Sequence, residues 1–135
     1  MQEETQKKTY TQLMFEGTPC PYNNFYQGND KRVLFVCSAG LLRSATAARI
    51  YAKKYNTRAA GSWKHALIPV TDLLLLWADE IVFVNEENYL QCKIKFDLQG
   101  FMDAGGIITV LNIPDDYEHM HPELIKEFEH QYEPI

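Results

Sequence analysis

Paired cysteines are missing from this chain. Cys20, Cys37 and Cys92 are its only three, an odd number without C-x-x-C spacing, which excludes a disulfide framework. No charged leader followed by an apolar stretch opens the sequence, so a reducing cytoplasm is the expected location. Long hydrophobic runs are missing as well. The greasiest, "LLLLWA" at residues 73–78, is far short of the roughly 20 residues that a membrane span needs, and no membrane partner is expected. Positive charge is in deficit too. A net charge of -5 argues against broad affinity for a phosphate backbone, which excludes nucleic acid as an obligate partner while leaving room for a small basic pocket. There is no repeat and no low-complexity segment. What remains is 135 residues, 46% of them hydrophobic, enough for one domain of ordinary size with a real core.

Residues 1–30 are polar and turn-forming without a sustained period, and read as an N-terminal arm ahead of a domain over residues 31–135. Phe15, Tyr22, Phe25 and Tyr26 suggest that part of the arm packs back on that domain; a frayed terminus is the alternative. From Val33 to Val36 an unbroken β-branched run suits a strand buried on both faces. "SATAARIYAKKY" follows as a helix with Ala48, Tyr51, Ala52 and Tyr55 on one narrow face. "NTRAAGS" reads as a second strand ending at Gly61. Thr71 and Asp72 then open a helix running through Trp77. "EIVFV" is a third strand, and Asn85 with Glu86 and Glu87 starts another helix. "DLQGFMDAGG" reads as a loop into "IITVLNI", the fourth strand. Pro122 opens a last helix with Leu124, Ile125, Phe128 and Tyr132 as its apolar face. Alternating strands and helices mean an α/β fold, a single three-layer domain whose four-stranded parallel sheet is flanked by helices. In such folds ligands bind beyond the carboxyl ends of the strands. The loops after Val36 and after Ile113 leave that edge with reactive groups.

Arginine is scarce, with four in the chain, yet one stands six places after a cysteine in "VLFVCSAGLLRSATAA". C-x5-R alone is a weak signal; its place between a buried strand and a helix strengthens it. The first turn of a helix has unpaired N–H groups and the positive end of the dipole, together an anion site. Residues Ser38, Ala39, Gly40, Leu41, Leu42 and Arg43 can curl so that successive N–H groups face inward and cradle phosphate oxygens. Gly40 supplies the positive φ in mid-curl. Arg43 offers a planar fork to two oxygens at once. Those donors and that cation favour the thiolate of Cys37, a nucleophile aimed at phosphorus. Ser44 can give its hydroxyl to the sulfur. The plainer alternative is a small buried hydrophobe at a strand end with Arg43 and Ser44 serving the helix.

Attack on a phosphate monoester expels an alkoxide or phenolate, so a carboxylic acid should protonate the leaving oxygen. Asp115, in "NIPDDYEHM", is the preferred acid, with Asp116 as the alternative. Asp115, Asp116, His119 and His121 also resemble a metal cluster, but a thiolate mechanism needs neither a metal nor another cofactor. Trp63 and Tyr117 are candidates for a cleft wall or for the core. Cys20 and Cys92 read as structural or incidental.

The pattern "VLFVCSAGLLRS", followed by a helix and a late "IPDDY", resembles the low-molecular-weight protein tyrosine phosphatase family, in particular its short bacterial and phage-type members. The resemblance runs from about Arg32 to the end and takes in "AAGS" and "ADEIVFVNEEN". It implies a phosphate loop between the first strand and the first helix, with Cys37 as nucleophile, Ser38 to Arg43 as the loop and Arg43 clamping the transition state. It implies Asp115 as general acid and then general base, Leu41 as the residue touching the substrate ring, and Tyr117 as the tyrosine after the acid. Gly40 stands where the family usually has Asn, Leu42 where it has a second Cys, Ala45 where it has Pro, and "DD" replaces "DP". The expected function is therefore phosphomonoester hydrolysis through a phosphocysteine, with a phosphotyrosine protein or a small phosphate ester as substrate. An arsenate reductase and a non-catalytic phosphate-binding module are the rivals.

Overall fold

Residues 32–37 read RVLFVC, and a computed structural model, which describes residues 30–135, makes them the central strand β1 (Arg32–Cys37). The expected arm, with Cys20 and its aromatic residues, lies outside the described residues apart from Asp30. Around β1 the sheet is built from β2 (Asn56–Gly61), β3 (Glu80–Phe83) and β4 (Ile107–Val110), all parallel, in the order β2-β1-β3-β4. Among the described residues five helices flank it: α1 (Arg43–Ile50), α2 (Asp72–Trp77), α3 (Glu86–Lys95), α4 (Leu98–Asp103) and α5 (Pro122–Gln131). The three-layer α/β fold is as the sequence implied.

Period-two alternation along β1 divides the core. Val33, Phe35 and Cys37 face the layer that includes Ala45, Ala48, Leu124 and Phe128 of α1 and α5. Leu34 and Val36 face Leu74, Trp77, Cys92 and Leu98 of α2, α3 and α4. The strand order reverses direction at β1, and in doubly wound sheets ligands bind at such a reversal, beyond the carboxyl ends of the strands, which here is where the loops leaving β1 and β3 lie.

Three local expectations change. "DLQGFMDAGG" is not all loop: Asp97 caps α4, its Oδ1 accepting from the Gly100 N–H at 2.9 Å, and Leu98 is buried. The first helix ends at Ile50, with Tyr51 as its C-cap and Ala52 and Tyr55 beyond it in a turn. β4 stops at Val110, short of the expected "IITVLNI", and as an edge strand it leaves Ile107 and Val110 exposed, covered on fewer sides than β1. Thr71, Asn85 and Pro122 open their helices as expected. Among the described residues no helix is long and apolar enough to cross a membrane.

Candidate active site

Past Cys37 the chain turns through residues 38–42 before α1 begins. Gly40 takes φ of 83° in mid-turn, in the left-handed region that glycine enters without steric cost. Its N–H turns back to donate to Cys37 Sγ at 3.2 Å. Ser44 Oγ shares a hydrogen bond with the same sulfur at 2.9 Å. The sulfur is buried, yet its neighbours include two polar groups, unlike those of a cysteine serving only as core hydrocarbon.

Arg43 is 3% exposed and turns inward. Nη1 donates to the Ile113 carbonyl at 2.9 Å and Nη2 to Ser38 Oγ at 3.1 Å, which fixes the plane of the guanidinium beside the loop. Nε stands 3.5 Å from Asp115 Oδ1. Asp115, not Asp116, is thus the carboxylate within ion-pair distance of Arg43. Leu42 gives α1 no side-chain cap, whereas Thr71, Asn85, Asp97 and His121 cap the other four helices. The first-turn N–H groups of α1 therefore meet no capping oxygen from Leu42.

The rim follows from hydrogen bonds to β2's exit. The Ser62 N–H donates to the Cys37 carbonyl at 2.8 Å and the Trp63 N–H to the Ser38 carbonyl at 3.0 Å. The exposed Trp63 ring therefore belongs to a segment lying against the loop, whose own Ala39 and Leu41 are half-buried and Leu42 exposed. Tyr117 is half-buried and packs against the core beside α1 and α5. Of the predicted residues, the structure brings Cys37, Ser38, Gly40, Arg43, Ser44 and Asp115 together; Tyr117 is partly a core residue.

The two histidines of "DDYEHMH" have separate structural roles. His121 caps α5, its Nδ1 accepting from the Glu123 N–H at 3.1 Å. His119 Nδ1 lies 3.3 Å from Thr46 Oγ1, which also accepts from the Met120 N–H at 2.8 Å and donates to the Leu42 carbonyl at 2.8 Å. Thr46 thereby ties the loop carrying Asp115 to the first turn of α1. Burial, then the charge of Arg49, holds the His119 imidazole below its usual range against a hydrogen bond to Leu42. Among the described residues no three His, Cys, Asp or Glu side chains converge as a metal site.

Sequence reasoning missed Asn88. This buried α3 residue donates through Nδ2 to Ser38 Oγ at 3.3 Å and to Ser62 Oγ at 3.0 Å. Its signal was an amide one helical turn after the Asn85 cap and four residues before the buried Cys92, on the inward stripe of α3. Cys92 itself packs on the face of the sheet opposite Cys37, and burial pushes its thiol up to about 12 against the charge of Lys95. Both described cysteines are free thiols. Comparison with protein-family models, with characterised proteins and with solved structures gave no match.

Proposed function

We propose that this protein is a metal-independent phosphomonoesterase of the cysteine-dependent, low-molecular-weight tyrosine phosphatase type, acting in a reducing compartment such as the cytoplasm. The observation that carries the reading is Cys37 Sγ held by Gly40 N–H at 3.2 Å and Ser44 Oγ at 2.9 Å, in a loop flanked by the inward-turned Arg43. The cysteine thiolate attacks phosphorus, forming the S–P bond as the ester P–O bond breaks. Asp115 gives its proton to the departing oxygen. The resulting carboxylate then takes a proton from water, whose oxygen attacks the phosphocysteine; the S–P bond breaks, inorganic phosphate leaves and the thiolate returns. Ser44 Oγ–H donates a hydrogen bond to that thiolate and steadies it as the sulfur departs. Arg43 holds two equatorial oxygens as charge develops. Leu41, Leu42 and Trp63 give the rim an apolar character suited to an aryl group, which favours a phosphotyrosine side chain or a small aryl phosphate.

Release of inorganic phosphate from an aryl phosphate in the presence of chelator tests this. Cys37→Ser should abolish turnover, and Asp115→Ala, given an aryl phosphate whose phenolate leaves without protonation, should accumulate a trapped phosphoenzyme. Turnover unchanged in Cys37→Ser would remove the reading. Phosphate binding by the wild type without any phosphoenzyme would replace it with that of a binding module. The position of Cys92, on the other sheet face with its thiol pushed up to about 12, weighs against an arsenate reductase relaying oxidation through that residue.

A further inference from the structure

The loop over residues 38–42 has no side chain at its centre to brace it, because that position is Gly40. Its brace comes from another element. Asn88, 1% exposed on α3, reaches Ser38 Oγ at 3.3 Å and Ser62 Oγ at 3.0 Å with one Nδ2 group. A single amide thus pins the loop leaving β1 to the segment leaving β2. Ser62 passes the contact on, donating to Gln91 Oε1 at 2.5 Å one turn further along α3.

Donor counting gives this amide a purpose. A serine hydroxyl has two lone pairs and one proton. Arg43 Nη2, at 3.1 Å, and Asn88 Nδ2 occupy both lone pairs of Ser38 Oγ, so the proton is left with the one remaining tetrahedral direction. Without Asn88 the hydroxyl regains an acceptor site and its freedom to rotate, and Nη2 loses an oriented partner. Asn88 Oδ1, meanwhile, is buried and has no hydrogen-bond partner. An unmet buried carbonyl is a cost that an alanine or leucine on the same helix face would avoid.

We infer that Asn88 is a positioning residue for the phosphate loop. Through Ser38 it fixes that hydroxyl as a donor, with Arg43 Nη2 beside it, so that both are set before a phosphate oxygen arrives. The inference rests on the phosphate-loop reading above. Titration calorimetry with inorganic phosphate on the full chain tests it as a double-mutant cycle of Asn88→Ala and Ser38→Ala. Each single variant should weaken binding about tenfold, and Asn88→Ala should weaken it less than about twofold further in the Ser38→Ala background. Equal losses in both backgrounds, or unchanged affinity in Asn88→Ala, overturn the inference. Circular dichroism verifies folding; if Asn88→Ala does not fold, Asn88→Ser, too short to reach Ser38, carries the same cycle. A wild type that binds no phosphate sinks the phosphate-loop reading and this inference with it. A wild type that binds while the cycle is additive sinks the inference alone.

Discussion

Gly61→Ala should damage the site from outside it. Gly61 ends β2 opposite Cys37 in the parallel register, and its φ lies outside the left-handed region, so backbone conformation does not demand a glycine there. Space does. A Cβ would collide with the Ser38 carbonyl oxygen and stand 2.6 Å from the Ala39 carbonyl carbon and 2.7 Å from Ala66 Cβ. Two of those atoms are the backbone of the loop leaving β1, and ordinary contact begins near 3.4 Å, so relief requires that loop to retreat by up to about 1 Å. Overpacking of this kind costs about 1–3 kcal/mol. If the strain is taken up by the loop, a displacement of that order lowers turnover by roughly 100-fold. Two further glycines separate the causes. Gly105→Ala meets no atom but has φ of 98°, so it should cost about 1–2 kcal/mol and leave turnover alone. Gly40→Ala combines φ of 83° with contacts of 2.9 Å to Ala60 C and Gly61 N, and should lose both stability and turnover. Urea midpoints and phosphate release, normalised to folded protein, read the series. A Gly61→Ala protein with wild-type midpoint and rate would refute the reasoning, as would a Gly105→Ala protein as slow as Gly40→Ala.

Asp115→Asn removes the carboxylate 3.5 Å from Arg43 Nε; because that side chain is 57% exposed, the pair is worth about 1 kcal/mol at most. Phosphate should therefore bind up to about fivefold tighter while turnover falls roughly 100-fold or more, and weaker binding would contradict the competition. His119, held below its unfolded value of 6.5 by burial and Arg49, makes the unfolded chain take up its proton first as pH falls. The stability this group provides is present above 6.5 and lost below it as pH falls through the folded value. Urea midpoints should decline across that window, and His119→Gln should flatten the decline; an unchanged slope would assign it to other groups. Glu80→Ala deletes a carboxylate bonded by Lys31 Nζ at 2.7 Å, Thr109 Oγ1 at 2.6 Å and Tyr132 Oη at 2.8 Å. It should cost about 3 kcal/mol with turnover per folded molecule unchanged; a selective loss of turnover would link that end of the sheet to the site.

The alternation of strands and helices, the curl after β1 and the placing of Asp115 just past β4 were legible because each is local. Residues 33–36 are apolar without a break, Thr71, Asn85 and Pro122 announce helix starts, and Gly40 marks a turn. α4 was hidden by Gly100 in its middle and by turn-forming neighbours, although Asp97 followed by Leu98 and Phe101 was a short capped helix in outline. The exposure of β4 was hidden because apolar composition does not distinguish an edge strand from a central one. Asn88 and Gly61 were hidden for a different reason: their roles depend on which segments the sheet order brings side by side. An asparagine among glutamates and a tyrosine reads as helix surface until α3 is known to flank the loop leaving β1.

The two ends of the sheet handle buried charge in opposite ways. At the amino end, Glu80 opens β3 with its carboxylate closed off by a lysine, a threonine and a tyrosine at 2.6 to 2.8 Å. At the carboxyl end, Arg43 is buried more deeply than its countercharge. Among the described residues its ion-pair partner is Asp115, at 3.5 Å and 57% exposed. A structural ion pair is expected to be short and satisfied on both sides, because a buried charge without close partners is destabilising. The Glu80 cluster has that character; the pair at Arg43 does not. Nη1 is committed to Ile113, but Nε and Nη2 face a loosely held carboxylate and a hydroxyl. Nε can exchange that carboxylate for an oxygen of an arriving dianion, and Nη2 has a second N–H to offer beside the one given to Ser38, without unfolding anything. That asymmetry, more than the C-x5-R spacing, supports a phosphate site over a cysteine and an arginine that only finish a strand and start a helix.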